Sequence, residues 1–115
     1  MTWVTFDDGF PDHRKVSALS DSAFRLHVAG ICHCNKHLSD GLVDAEDVPR
    51  LVRRFRRQAL NELVERGLWV EVGTEAGVAA YSIHDFLDWN LSREKVLARR
   101  EKAASRMRRR RGDAQ

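Results

Sequence analysis

The sequence predicts an α+β domain that is mainly helical, and three observations carry that prediction. A long stretch ending at Ser39-Asp40-Gly41 has apolar residues at helical spacing on more than one face. A second, cleanly amphipathic pattern ends at Gly67, and two β-rich runs around a glycine-bearing loop follow at once. Past residue 91 the chain turns strongly basic and keeps high helix propensity with few apolar residues. The expected organisation is one body over residues 1–91 and a protruding basic arm, helical or disordered, over residues 92–115.

In chain order, residues 2–6 are β-rich, with Trp3 and Phe6, and run into the turn composition Asp7-Asp8-Gly9, so a short edge strand or extended arm is expected. After Pro11, Val16 and Leu19 lie three apart, enough for two helical turns over residues 12–19 before Ser20, a good N-cap. From Asp21, the residues Phe24, Leu26, Val28, Ala29, Ile31, Cys32 and Leu38 suit a central helix touched on several sides, with Gly41 as its left-handed cap. Leu42-Val43 leaves room for only a very short strand. Asp44 or Asp47 can cap a short helix over residues 47–53, with Pro49 in its first turn. Residues 53–56 then lead to a helix at about residues 56–66, with Ala59, Leu60, Leu63 and Val64 on its apolar face. Two short helices with a tight connection form a helix-turn-helix candidate. Residues 68–72 and 79–83 read as strands around the loop 73–77, and this order defines a winged helix-turn-helix with a two-stranded wing. In segment 84–90, Phe86, Leu87 and Trp89 call for burial against the body.

The 115 residues suit a single domain, and 43% apolar with 32% charged residues is ordinary for a globular chain. The net charge of +3 conceals an asymmetry. Residues 1–90 carry 10 Lys and Arg against 14 Asp and Glu, a balance of −4, whereas residues 91–115 carry 10 against 3, a balance of +7. Such a division points to nucleic acid or another polyanion. No run approaches the roughly 20 apolar residues of a membrane span. The N-terminus lacks the basic and apolar regions of a secretory signal. Cys32 and Cys34 sit two apart in a helix and cannot readily bridge, so a reducing, cytoplasmic setting is expected.

TWVTFDDGFPDHRKVSAL, the helix SDSAFRLHVAGICHCNKH, then SDGLV, a helix-turn-helix, ELVERGLW and a hairpin resemble the N-terminal domain of phage replisome organisers, which resemble in turn the DnaD-like primosomal winged helices. More narrowly, the chain is similar to helix-turn-helix replication proteins of actinobacterial phages and prophages, where an IHDFLDWN-like segment and a tail resembling SREKVLARREKA follow the wing. The resemblance covers roughly residues 2–108 and rests on apolar and turn patterns rather than catalytic signatures. It implies a winged-helix fold and a role in replication initiation, with transcriptional regulation as the close second. Family members often continue into a further C-terminal region, so a fragment or a short form that binds without the later functions is expected.

Two sets of residues have the chemistry of a nucleic-acid site. With Ala59, Leu60 and Leu63 toward the core, Arg56, Arg57, Gln58, Asn61 and Glu62 lie nearest the outward and N-terminal side of a helix entering a major groove. Arginine can bridge guanine, and Asn or Gln can bridge adenine. Arg50, Arg53 and Arg54 precede it and can hold phosphates. Five arginines between positions 50 and 57 exceed what solubility requires. The second set is the arm, where Arg99, Arg100, Arg106, Arg108, Arg109, Arg110 and Arg111 are expected to follow the backbone, blind to sequence and steeply salt-dependent. The wing carries Glu71 and Glu75 and no Lys or Arg between Leu68 and Ile83, so it repels phosphate. Many helix-turn-helix proteins pair on palindromic sites, which admits a homodimer.

Two other constellations read as structural. His33 and His37 share a helical face and could seat zinc, but Cys32 and Cys34 cannot both reach that site and no HExxH glutamate intervenes, so no metal or cofactor is expected. Asp7, Asp8 and Asp12 with His13, and separately His84, Asp85 and Asp88, sit beside turn residues where aspartate bonds locally. No phosphate-cradling loop or nucleophile accompanies them. The expected protein is therefore a non-catalytic binder of double-stranded DNA. Its rival is an adaptor whose acidic body contacts a host replication or transcription protein.

Overall fold

The computed structural model describes residues 3–84 and 93–113, and within them four helices and three strands form an α+β fold. A 3-10 turn at Phe10–Asp12 leads into α1 (Arg14–Ser17), followed by α2 (Asp21–His37), β1 (Leu42–Asp44) and a 3-10 turn at Val48–Arg50. Then come α3 (Arg57–Glu65), β2 (Trp69–Thr74), β3 (Gly77–Ile83) and α4 (Arg93–Asp113). The strands make an antiparallel sheet in the order β1-β3-β2, with Val43 opposite Tyr81 and Trp69 opposite Ile83. Alternation then puts Val43, Trp69, Tyr81 and Ile83 on the inner face. All four are buried, whereas Leu42, Val70 and Val72 are exposed.

The core lies between that inner face and the two longer helices of the body: Ala23, Leu26, Ile31 and Cys34 of α2 and Ala59, Leu60 and Leu63 of α3. Trp69 is fully buried at its centre. It approaches α2 so closely that a Cβ on Gly30 would stand 2.5 Å from its Cζ2 and 2.9 Å from its Cη2. Gly30 is therefore the space that the indole fills. The Trp69 Nε1 donates to His27 Nδ1 at 2.9 Å, which satisfies both polar groups inside the core. Burial drives the pKa of His27 down to about 4, so the ring is a neutral acceptor at neutral pH.

Several sequence expectations change. The helix expected over residues 47–53 contracts to the 3-10 turn Val48–Arg50. Asp47 makes no side-chain cap, Pro49 has no N–H to offer, and Val48 is the only residue of the turn buried in the core. The segment expected to form a helix-turn-helix is thus a 3-10 turn, an irregular connection and α3. The two-residue strand suspected at Leu42-Val43 is a genuine third strand pairing with β3, so the sheet exceeds the expected two-stranded wing. β2 and β3 run further than expected, with a register shift between Val72 and Gly73, and leave a tight turn at Glu75-Ala76. No strand forms over residues 3–9. Instead Asp7 Oδ1 accepts from Gly9 N at 2.7 Å, and Phe10 stacks on His27 with centroids 5.9 Å apart.

The left-handed cap of the central helix falls at Leu38, three residues before Gly41, with φ 53° and its N–H bonded to Cys34 O. Gly41 still has φ 92° in the turn that follows. The arm is helical through its arginine run to Asp113, past the Gly112 at which a loose end was expected. Of the segment expected to fold back, His84 N donates to Leu68 O at 2.8 Å, and residues 85–90 lie outside the described residues. No helix among the described residues is long and apolar enough to cross a membrane.

Candidate nucleic-acid interface

At 100° per residue, Ala59, Leu60 and Leu63 occupy one side of α3, and all three are buried. The opposite arc, about 100° wide, holds Arg57, Gln58, Asn61 and Glu65. All four are exposed. Arg56 is the N-cap, with extended backbone and no side-chain cap bond, so the first turn of α3 keeps donors and a partial positive charge for an anion. Arg50, Arg53, Arg54 and Arg56, in the approach to that turn, are exposed as well. The structure therefore brings Arg53, Arg54, Arg56, Arg57, Gln58 and Asn61 to one end and one outward arc of α3. Glu65 on the same arc is an acidic neighbour that sequence reasoning had not weighed.

Glu62 is a correction to that set. It is half-buried, and its Oε2 accepts from Ser20 N at 2.9 Å and from Ser20 Oγ at 3.1 Å. Ser20 Oγ in turn accepts from Ala23 N at 3.2 Å as the N-cap of α2. Glu62 is thus a clamp between α3 and the first turn of α2 rather than a base-facing residue.

Beside this clamp a groove of about 480 Å³ runs between α2 and the approach to α3. Arg25, Arg53, Arg54 and Arg56 line it together with Asp21, over the apolar Leu26, Val52 and Phe55. Arg25 went unremarked in the sequence because only the packing of α2 on α3 brings it beside arginines far along the chain.

On α4, Arg99, Arg100, Arg106, Arg108, Arg109 and Arg110 are exposed, while Arg111 is placed by its backbone alone. Helical geometry divides these charges. Lys95, Arg99, Lys102, Arg106 and Arg110 fall within an arc of about 80° along some 22 Å of axis, whereas Glu94, Glu101 and Arg108 lie on the far side. Arg108 Nη2 bonds Glu101 Oε1 at 3.0 Å and Ser105 Oγ at 3.2 Å, so its charge is locally balanced.

The other constellations are placed plainly. The His33 and His37 rings lie 4.4 Å apart, and among the described residues no group of three or more His, Cys, Asp or Glu is arranged to hold a metal ion. The pKa of His33 is lowered, first by burial and then by His37, with Asp47 and Asp44 opposing. Cys32 is exposed and Cys34 buried, both as free thiols, and burial raises the Cys34 pKa. Asp7 serves its local turn, and Asp85 and Asp88 lie outside the described residues. The wing exposes Val70, Val72 and Val78 alongside Glu71 and Glu75. No family model, curated protein or solved structure matches the chain.

Proposed function

We propose that this chain is a non-catalytic winged-helix protein that binds double-stranded DNA with α3 in the major groove. The observation that carries the reading is the joint exposure of Arg53, Arg54, Arg56, Arg57, Gln58 and Asn61 around the N-terminal half of α3, on the side away from the core. Helix, strand, turn, helix and hairpin in series, with the sheet order β1-β3-β2, supports the winged-helix assignment. Arg56, Arg57, Gln58 and Asn61 contact base edges, Arg53 and Arg54 grip phosphate, and the stripe on α4 follows the backbone. The wing, lacking cations, stays off the duplex. The resemblance to phage replisome organisers makes replication initiation of a phage or prophage the favoured setting, with regulation of transcription on a mobile element second.

The test is selection of bound sequences from a random duplex pool, with and without residues 99–115, followed by salt titration of affinity. An enriched motif that persists without the arm supports recognition by α3, and Asn61→Ala should then change the preference between sequences. Undetectable binding at low ionic strength refutes the reading. In that event a second reading stands, in which Leu42, Val70 and Val72, exposed on the outer face of the sheet, form a contact for a host replication or transcription protein.

A further inference from the structure

Four guanidiniums from two separate elements converge on the groove between α2 and the approach to α3. Arg25 comes from α2, and Arg53, Arg54 and Arg56 from the connection. Among the described residues none of the four makes an ion pair or hydrogen bond, and Asp21 is the one acid lining the groove. Four like charges beside a single carboxylate repel one another, and an anion seated among them lowers that cost. The groove's volume of about 480 Å³ falls within the range of built ligand sites, and its apolar Leu26, Val52 and Phe55 lower the local dielectric that an anion meets.

We infer that the groove extends the phosphate grip of Arg53 and Arg54, with Arg25 reaching the phosphodiester backbone from outside the helix-turn-helix. This rests on the reading of α3 as the DNA-facing helix. Arginine forks match phosphate oxygens in pairs, and walls from two elements let one strand be held from both sides. The separation of those walls is set in advance, because Glu62 on α3 holds Ser20 at the start of α2 through two hydrogen bonds. A site held open in its bound form loses little entropy on binding. Asp21 limits the affinity, so the groove has a built-in attenuator as well as a grip.

The experiment is fluorescence anisotropy of the full chain on two labelled duplexes of different sequence, across a salt series, with Arg25→Ala, Asp21→Asn, Arg54→Ala and Arg66→Ala. Arg66 is an exposed cation at the far end of α3 and serves as the control. Arg25→Ala is expected to weaken binding about tenfold at low salt, equally on both duplexes, and to make the salt slope shallower by about 0.9. Asp21→Asn is expected to tighten binding about threefold, a gain that damage to the fold cannot mimic. Arg66→Ala should leave affinity unchanged.

If Arg54→Ala weakens binding while Arg25→Ala and Asp21→Asn match the wild type, the groove proposal fails and the reading of α3 survives. If the wild type does not bind either duplex at low salt, the reading of α3 fails first. Calorimetry with inorganic phosphate alone separates the remaining source of the same chemistry. Arg25-dependent phosphate binding without an Arg25 effect on DNA would assign the groove to a soluble anion and overturn the proposal.

Discussion

Acid should loosen this fold through one core side chain. His27 is 3% exposed, accepts the Trp69 indole N–H at 2.9 Å, and has its pKa lowered from 6.5 to about 4 by burial. The unfolded chain therefore binds a proton more readily than the folded one between those two values. The neutral ring's contribution is complete above pH 6.5, declines as pH falls through that value, and is exhausted below about 4. A displacement of about 2.5 pKa units corresponds to roughly 3 kcal/mol in full, and about 2 kcal/mol of it is lost between pH 7 and pH 5. Urea unfolding monitored by Trp fluorescence at those two pH values measures the loss. The comparison is His27→Gln, whose amide oxygen can accept from the indole but does not titrate. Carboxylates and the other histidines titrate in both proteins, so the signal is the difference between the two pH dependences. The wild type should lose about 2 kcal/mol more than His27→Gln. Equal losses would show that His27 is protonated without cost in the fold and would refute the account of the core.

Gly30→Ala should destabilise the protein by about 1–2 kcal/mol in chemical denaturation, because overpacking against the fully buried Trp69 outweighs the gain of about 1 kcal/mol in helix propensity. A stabilised Gly30→Ala would mean that the indole can retreat. Glu62→Ala removes both bonds to Ser20 and should cost about 1–2 kcal/mol, while Glu62→Gln, which keeps an acceptor oxygen, should cost less; thermal melts of the two variants rank them. On α4, the double substitution Arg99→Ala with Arg106→Ala should weaken DNA binding more than Arg100→Ala with Arg108→Ala, although each pair removes two charges. Equal effects would mean that the arm binds as an unordered polycation rather than as a helix.

The elements that could be read from sequence are those whose signals are local. Ser20 announces α2, the spacing of Ala59, Leu60 and Leu63 announces α3, and Gly73 and Gly77 mark the wing. What escaped depends on partners distant in the chain. Trp69 and His27 are 42 residues apart, as are Glu62 and Ser20, and no periodicity marks either pair. Glu62 looked outward because a helical wheel sets it beside the exposed arc, and only the packing of α3 on α2 turns it into a clamp. The short helix at residues 47–53 failed for the opposite reason: its capping and proline signals were local and present, but too little of it faces the core to stabilise a full turn beyond Arg50. The exposed arginines were legible as a set, since charge needs no partner to be seen. Their grouping with Arg25 was not.

The charge layout then constrains how a duplex can approach. At physiological ionic strength the Debye length is about 8 Å, so each acid acts on phosphate only over its own surroundings, Glu71 on β2 and Glu75 in the turn beyond it. Attraction is therefore decided residue by residue. Asp21 lines the arginine groove and Glu65 lies on the exposed arc of α3, so on the proposed reading each subtracts from the contacts made beside it. The helical arm obeys the same rule. Because Glu94 and Glu101 lie opposite the stripe of Arg99, Lys102, Arg106 and Arg110, and Glu101 pairs with Arg108, the stripe side of α4 carries the larger excess of positive charge. A helix charged more heavily on one side gains most by lying along a polyanion with that side inward, and gains less by other rotations. On the proposed reading, binding by the arm is indifferent to base sequence yet selective in orientation, which limits the directions from which α3 would meet a major groove.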